Sequence, residues 1–167
     1  ADRRWWPFLA LAFAGGLSSV ISTNYLFAYM RELRASEAAM GLAITLSVVS
    51  EVPVLFFGNR LVTRFGAYTV LLAAMLITGA RLLLFFFAVT PGWVLAFQLL
   101  NGLTFPLMWL AGVAYADEHA PACLSATAQG LFGAMVYGFG DAVGGFAGGP
   151  LFERVGGRAT YIIFGVV

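Results

Sequence analysis

Residues 44–66 read ITLSVVSEVPVLFFGNRLVTRFG, a long apolar run with one acid, Glu51, in its middle. A carboxylate at the centre of a membrane-spanning helix costs roughly 2.5–3.5 kcal/mol on insertion scales, so such residues usually serve a function. The run closes with the motif Leu61-x-x-Arg64-x-Gly66, which begins ten residues after the acid. The stretch therefore predicts a membrane helix that carries a functional acid and ends in a short connector.

A second acid stands in the same setting 90 residues later. Asp141 lies in the apolar, glycine-rich stretch 131–150. Ten residues further on begins Leu151-x-x-Arg154-x-Gly156, the same motif that follows Glu51. The coincidence of acid and motif indicates an internal duplication, with the two acids at equivalent positions.

The duplication predicts the organisation of the chain. The same offset pairs Gly58 with Gly148, and it aligns the second and third apolar segments with the fifth and sixth. Because the unit has three helices, the second copy enters the membrane from the opposite side, as in transporters built from inverted repeats. We predict two inverted three-helix repeats, residues 5–89 and 92–167.

The composition requires an apolar environment. The chain is 61% hydrophobic and 10% charged, with a mean hydropathy of +0.90, whereas a soluble domain is about 25% charged. A membrane is therefore the expected solvent. The net charge of +1 provides no basic field for nucleic acid.

Five segments are long enough to span a bilayer core of about 30 Å, which takes roughly 20 helical residues. The predicted spans are 5–30, 37–58, 67–89, 92–116 and 122–150, joined by connectors at 31–34, 59–66, 90–92, 117–121 and 153–158. A sixth segment starts near Arg158 and reaches only Val167. We predict an all-α polytopic membrane helix bundle with five full transmembrane helices and the start of a sixth.

The ends and the charges of the chain say little about orientation. The chain begins at Ala1 and stops within an apolar run, so we expect a piece of a longer protein. The connectors on one side carry Arg3, Arg4, Arg60 and Arg64, and those on the other carry Arg31, Arg34, Arg154 and Arg158. With equal arginine on both sides, the positive-inside rule does not orient this chain.

No cofactor or metal is expected. Cys123 is the only cysteine, which excludes an intrachain disulfide and a cysteine-based metal cage. His119 ends the triplet Asp117-Glu118-His119, but three consecutive residues of a helix cannot face one ion. No Ser/His or metal-binding constellation points to an enzyme.

Two motifs resemble those of a known family. Residues 59–66, NRLVTRFG, and 149–156, GPLFERVG, are similar to the loop motif G-x-L-a-D-R-x-G of the major facilitator superfamily. The first copy has Asn59 for the Gly and Thr63 for the Asp, whereas Glu153 keeps an acid in the second. The resemblance implies that residues 1–167 form the C-terminal half of a transporter whose N-terminal half is missing.

Within that superfamily the chain resembles the lactose-permease-like sugar symporters. The similar places are Asn24-Tyr25, Asn59-Arg60, Gly79-Ala80-Arg81 and Phe105-Pro106. The resemblance implies that Arg81 matches the ninth-helix Arg used there in proton coupling. The tenth-helix His and Glu of that subgroup fall on Asn101 and Thr104, which carry no proton at neutral pH.

Glu51, Asp141 and Arg81 are the candidates for proton coupling. Burial in a bilayer disfavours a charged form, and an intramembrane arginine must pair or reach a cavity. We expect Arg81 to pair with one of the two acids. The alternatives are a structural ion pair between Glu51 and Arg81, an Asp141 bonded to closely packed backbone, and an Arg81 that reaches the membrane interface.

Polar residues on the fourth and first spans are the candidates for solute binding. Gln98, Asn101 and Thr104 recur every three residues and Trp109 continues their face, while the first span offers Asn24 and Tyr25. Such a stripe is typical of an aqueous cavity that contacts solute. The alternative is hydrogen bonding between helices, in which the same side chains act as packing contacts.

These features predict a secondary active transporter. We expect an integral protein of the bacterial inner membrane that moves a small polar solute, sugar-like or related, with protons, by alternating access. Its partners are the solute, protons, the lipid bilayer and the missing N-terminal half. The alternative is a non-transporting membrane receptor or scaffold whose buried charges are structural.

Replacing the first acid tests its predicted role. Glu51→Gln removes the charge and keeps the shape, so we expect the full-length protein to fold and to lose proton-coupled uptake. The measurement is solute uptake into vesicles under a pH gradient. Uptake equal to that of the wild type would exclude Glu51 from the coupling site.

Overall fold

The computed structural model describes residues 3–121 and 123–166, and the elements in those residues are helical. In chain order they are α1 Trp5–Asn24, α2 Leu26–Glu32, α3 Glu37–Phe65, α4 Ala67–Phe87, α5 Pro91–Gln98, a 3₁₀ turn Asn101–Leu103, α6 Phe105–His119, α7 Ser125–Gly133, a π-helix Ala134–Gly140 and α8 Asp141–Val166. The prediction of an all-α chain is confirmed.

Several helices are long and apolar enough to cross a membrane. In the part of the chain that the structure describes, α1, α3 and α4 meet both criteria. A fourth span results if α5 and Asn101–His119, which meet at a bend of 46°, are taken together. The fifth predicted segment contains α7, the π-helix and the start of α8, and its crossing of the membrane stays a prediction.

The surface of the bundle is apolar. Large apolar side chains project outward from α3 and α4, among them Val48, Val52, Leu55, Phe56 and Leu76. A contiguous apolar surface of this kind is not stable in water. The chain is therefore an integral membrane protein, as its composition predicts.

Two predicted connectors are helical in the structure. Residues 59–65 form the last two turns of α3, so the predicted connector 59–66 shrinks to Gly66. Residues 153–158 belong to α8 apart from a break at Gly156. Neither stretch has a proline or glycine before its closing glycine, so nothing there breaks the helix. The closing glycines have a positive φ, +83° at Gly66 and +80° at Gly156, where a side chain would be strained.

Two predicted spans are interrupted. The first divides at Tyr25 between α1 and α2. The fourth breaks between α5 and α6, where Thr104 has φ −100° and ψ −100°. The break has a sequence cause, because Pro106 lies in the first turn of α6 and cannot donate the backbone hydrogen bond that would continue a helix from α5.

Glycines let two pairs of segments pack backbone against backbone. A Cβ on Gly102 would lie 2.0 Å from the carbonyl oxygen of Ser50, and the Gly102 N–H donates to the Ser50 hydroxyl at 3.0 Å. A Cβ on Gly16 would lie 2.3 Å from the carbonyl oxygen of Val136, and one on Gly140 would lie 2.7 Å from the Cα of Gly16. These contacts hold the 3₁₀ turn against α3 and the π-helix against α1.

The core consists of two apolar clusters. One contains Phe8, Tyr115 and Phe132, whose rings pack together, and the other contains Phe85 and Tyr161. On α4 the residues run from Ala74 in the first cluster, through Thr78 and Arg81, to Leu82 and Phe85 in the second. The polar side chains therefore form a layer between two apolar regions, away from both ends of the bundle.

The last helical segment is attached at one end of the bundle. Both carboxylate oxygens of Glu32 accept from the backbone N–H of Gly157, at 3.1 and 3.2 Å. The guanidinium of Arg158 donates to the carbonyl of Ala88, just beyond the end of α4, at 3.1 Å. The Glu32 carboxylate thus lies at the N-terminus of the helical segment that follows Gly156, and the Arg158 guanidinium lies at the C-terminus of α4. The helix dipole favours both placements.

Adding one methyl group at the crossing of α1 and the π-helix should destabilise the protein. Gly140→Ala places its Cβ against backbone atoms, which cannot rotate away. We therefore expect the free energy of unfolding to fall by about 1–3 kcal/mol. Gly138→Ala is the matched control, because a Cβ there meets nothing within 4 Å. Thermal unfolding of the full-length protein in detergent measures both, and equal melting temperatures for the two variants would contradict the packing described.

Candidate functional site

Arg81 is buried at the centre of the polar layer. Its side chain is 2% exposed and comes from α4. One terminal nitrogen donates to Asn101 Oδ1 at 2.9 Å and Thr104 Oγ1 at 3.3 Å, and the other donates to Gln98 Oε1. The guanidinium carbon also lies 5.3 Å from the centre of the Phe85 ring. The cation is thus held by three neutral acceptors and one aromatic face.

The break in the fourth span aims these acceptors at Arg81. Gln98 ends α5, Asn101 begins the 3₁₀ turn and Thr104 precedes α6. A 3₁₀ turn has three residues per turn, so side chains three apart point the same way. The three side chains share one polar face, and all three line the cavity.

Asn101 joins Arg81 to Glu51. Its amide nitrogen donates to Glu51 Oε1 at 2.7 Å, while its amide oxygen accepts from Arg81. Among the described residues, the hydrogen bonds of Arg81 go to neutral side chains, so the expected direct pairing of Arg81 with an acid is not found. Asn101 lies between Arg81 and Glu51 instead. The close contact of Gly102 with Ser50 is what places α3 near enough for this bridge.

Asp141 reaches the same cavity from the opposite side of the bundle. It is the first residue of α8, directly after the π-helix, and is half-buried. Within the described part of the chain no hydrogen bond to its carboxylate is found. Glu51 and Asp141, which the sequence predicts to be equivalent, therefore face one cavity in different surroundings. Glu51 is bonded to Asn101, and Asp141 has no hydrogen-bond partner among the described residues.

The cavity has a volume of about 300 Å³ and is polar on several sides. Of the residues predicted from sequence, its lining includes Asn24, Glu51, Arg81, Gln98, Asn101, Thr104 and Asp141. This size suits a small solute. The cavity lies at the polar layer between the two apolar clusters.

Two predicted solute-binding residues lie outside the lining. The Tyr25 hydroxyl donates to the carbonyl of Gly145 at 2.9 Å, and its ring stacks on Phe152 at 5.5 Å. Trp109 packs its ring against Phe132, at 5.2 Å, and against Tyr137, at 5.1 Å. In this structure both side chains are therefore engaged in packing between helices.

Some lining residues were not assigned to solute binding from sequence. Tyr137, which is 55% exposed, and Phe105 form an aromatic wall, with ring centres 5.8 Å apart. Ser47 and Thr23 add hydroxyl groups. Tyr137 precedes Asp141 by four residues, so its cavity position follows from that of the acid, whereas Thr23 carries no distinguishing pattern.

Comparison with known proteins identifies similar transporters. The profile of the MFS_1 like family matches residues 1–163. The uncharacterized transporter YwbF of Bacillus subtilis is 26% identical over 167 residues, 100% of this chain. The maltose permease of Geobacillus stearothermophilus is 32% identical over 164 residues, 96% of this chain.

A solved structure shares the fold. The crystal structure of a mutant of the nucleoside transporter NupG matches 99% of this chain with a TM-score of 0.79 at 18% identity. The chain covers 46% of that structure, 42% of YwbF and 41% of the maltose permease. It therefore spans less than half the length of each of these relatives.

Removing the bridging amide should destabilise the site. Asn101→Ala takes one of three acceptors from the buried Arg81 and a donor from the half-buried Glu51, and the loss of one hydrogen-bond partner of a buried group costs about 1–3 kcal/mol in the free energy of unfolding. Asn24→Ala is the control, because Asn24 lines the same cavity, is exposed and makes no hydrogen bond within the described residues. The Asn24→Ala change should alter the free energy of unfolding by no more than about 0.5 kcal/mol.

A double-mutant cycle isolates the bridge. In a Glu51→Gln background the same Asn101→Ala change should cost a different amount, because contacting residues are not additive. Thermal unfolding of the full-length protein gives the stability of the wild type, of each single variant and of the double variant. Additive losses would show that Asn101 and Glu51 act independently.

Proposed function

This chain belongs to the MFS_1 like family, and we propose that it is the C-terminal half of a secondary active transporter. The observation that carries the proposal is the polar cavity, with Arg81, Asn101 and Glu51 linked by hydrogen bonds inside an otherwise apolar membrane bundle. Such groups are costly in a membrane and mark solute or ion pathways. An enzyme would need a reactive constellation, and the family comparisons point to transporters.

We propose two inverted three-helix repeats, with five full spans and the start of a sixth. Gly66 and Gly156 support this, because they share a positive φ and an extended ψ, 146° and 169°, at equivalent places. The packing partners support it as well. The Glu51 helix α3 packs on the bent fourth span, and the Asp141 end of α8 packs on α1, as a two-fold exchange of the repeats requires.

The proposed mechanism is alternating access around the cavity. The half described here rocks against an N-terminal half, so that the cavity opens to one side of the membrane at a time. Asn24, Gln98, Asn101 and Thr104 are proposed to contact the solute, with the aromatic wall of Tyr137 and Phe105 beside them. Glu51, Asp141 and Arg81 are proposed to couple its movement to protons.

We propose a small polar solute, sugar-like or related. Two relatives are named for such molecules, a maltose permease and a nucleoside transporter. The cavity supports this class, since amides and hydroxyls bind solute hydroxyl groups and an aromatic face packs against the apolar face of a ring. YwbF is a bacterial protein, which supports a bacterial inner membrane as the location.

A receptor or scaffold is the second candidate. It is favoured by one observation: Asn101, Thr104 and Gln98, which accept hydrogen bonds from Arg81, all belong to the protein itself, as a purely structural cation would require. In that case the buried network stabilises the bundle and moves nothing. A measurement of flux separates the two candidates.

The proposed transport is measurable with the full-length protein in proteoliposomes. We expect uptake of radiolabelled maltose or uridine to rise when an inward pH gradient is imposed and to collapse with a protonophore. Arg81→Lys should lower that uptake by about tenfold or more, because a lysine cannot reproduce the donor geometry of the guanidinium. Failure of every polar solute in a broad panel would favour the receptor or scaffold.

Arg31→Lys is the matched control for this experiment. Arg31 is exposed at the end of α2, so this variant makes the same substitution away from the cavity. Uptake by this variant should equal that of the wild type. Equal losses in both arginine variants would indicate a general effect of replacing arginine by lysine and would exclude a special role for the buried residue.

A further inference from the structure

Two buried polar atoms behind the cavity are unpaired, and their chemistry is complementary. The Arg81 Nε–H and the Tyr161 hydroxyl are both covered by protein, and neither has a hydrogen-bond partner among the described residues. Tyr161 is 0% exposed and Arg81 is 2% exposed, so this chain by itself already encloses both side chains. A buried polar group without a partner is destabilising and needs an explanation.

Close packing of α4 against the last part of α8 places Tyr161 next to the Arg81 region of α4. A Cβ on Gly79 would lie 3.1 Å from the carbonyl oxygen of Gly165. The rings of Phe85 and Tyr161 lie 4.9 Å apart. Residue numbers thus rise along α4 while they fall along α8, so the two segments are antiparallel. Arg81 lies in sequence between these two contacts.

Arg81 and Tyr161 contact the same aromatic ring. The guanidinium carbon of Arg81 lies 5.3 Å from the centre of the Phe85 ring, against which Tyr161 also packs. The backbone carbonyls at this end of α4 are already bonded, because the Tyr29 hydroxyl donates to Phe85 and Ala88 at 2.8 and 3.0 Å. Beside the shared ring, the unpaired donor among the described residues is the Arg81 Nε–H.

We infer that Tyr161 is a positioning residue for Arg81, and that its hydroxyl accepts a hydrogen bond from the Arg81 Nε–H when solute occupies the acceptors in the cavity. The inference rests on the proposed function, because the solute is what takes those acceptors. Gln98, Asn101 and Thr104 are the proposed solute contacts, and each of them already accepts from Arg81. Hydroxyl groups of a solute therefore compete with Arg81 for the same oxygen atoms.

The exchange keeps a buried cation bonded while the solute is held. A charged group in a membrane interior needs a partner, and removing the partner of a buried charge is strongly destabilising. Tyr161 is buried and is not among the residues that line the cavity, so a solute in the cavity does not displace it. A shift of the Arg81 guanidinium toward Tyr161 pairs two atoms that are otherwise unpaired.

Thermal unfolding of the full-length protein in detergent tests the pairing without any solute. Tyr161→Phe removes a hydroxyl that has no partner, so the melting temperature should equal that of the wild type or exceed it. Gln98→Leu takes an acceptor from Arg81, as the solute is proposed to do. In that background Tyr161→Phe should lower the melting temperature by about 2 °C or more, because Arg81 then depends on the hydroxyl.

Tyr29→Phe is the matched control. Tyr29 is buried in the same cluster at 1% exposed, and its hydroxyl has two carbonyl partners. Its replacement should lower the melting temperature, and by the same amount with and without Gln98→Leu. Where Gln98→Leu does not fold, Thr104→Val replaces it, since this change also removes an acceptor from Arg81.

Two results of this cycle would overturn the inference. A lower melting temperature for Tyr161→Phe alone would show that the hydroxyl is already bonded in the resting protein, as a buried bridging water would allow. Equal effects of Tyr161→Phe in both backgrounds would show that Arg81 does not turn to Tyr161 when it loses an acceptor.

Transport assays test the role in the cycle. In proteoliposomes that contain the full-length protein, with radiolabelled maltose or uridine as the probe, Tyr161→Phe should lower uptake by about tenfold, the order of a typical coupling free energy. A residue with a purely structural role would lower uptake only together with stability. Tyr29→Phe should retain wild-type uptake per folded molecule. Wild-type uptake by Tyr161→Phe would exclude the positioning role.

The two measurements keep the inference distinct from the proposed function. If the wild type moves no solute of a broad polar panel, the proposed function fails, and the melting temperatures still decide whether Tyr161 is an alternative acceptor for Arg81. If the wild type transports solute and Tyr161→Phe transports it equally well, the proposed function stands and the inference is wrong.

Discussion

The burial of one guanidinium is the constraint on which the rest of this structure depends. Arg81 is 2% exposed in the middle of a membrane bundle, where a cation needs acceptors within reach. A straight helix would not point Gln98, Asn101 and Thr104 toward it together. The fourth span is instead broken into a 3₁₀ turn, and that turn is held against α3 by the side-chain-free Gly102.

The site is thus a consequence of how backbones approach one another. Where Gly102 meets Ser50, the amide of Asn101 reaches Glu51 and completes a bridge to the cation. Where Gly16 meets the π-helix, Asp141 is turned into the same cavity from the other side. A membrane provides little hydrophobic driving force between helices, so the helices associate largely through close packing at small residues.

Much of the fold follows from residue patterns, and the departures have physical causes. The apolar runs predict helices, whereas Gln98, Asn101 and Thr104 share one face because the fourth span is broken at the 3₁₀ turn, which the sequence analysis did not predict. Residues 59–65 were wrongly predicted as a connector, because a charged motif resembles a loop although nothing before Gly66 ends the helix. Tyr25 and Trp109 have the polar or aromatic character of binding residues. In the structure the Tyr25 hydroxyl donates to the Gly145 carbonyl, and the Trp109 ring packs against the Tyr137 ring.

The sequence by itself determined the environment, the helices, the repeated acid and motif, and the buried arginine, because each depends on composition or on local periodicity. Only the tertiary structure decided which side chain meets which. Glu51 and Asp141 occupy matching places in the sequence, but one is bonded to Asn101 and the other meets no polar partner among the described residues. That difference arises from contacts between segments 50 residues apart in the chain, and no local pattern encodes such contacts.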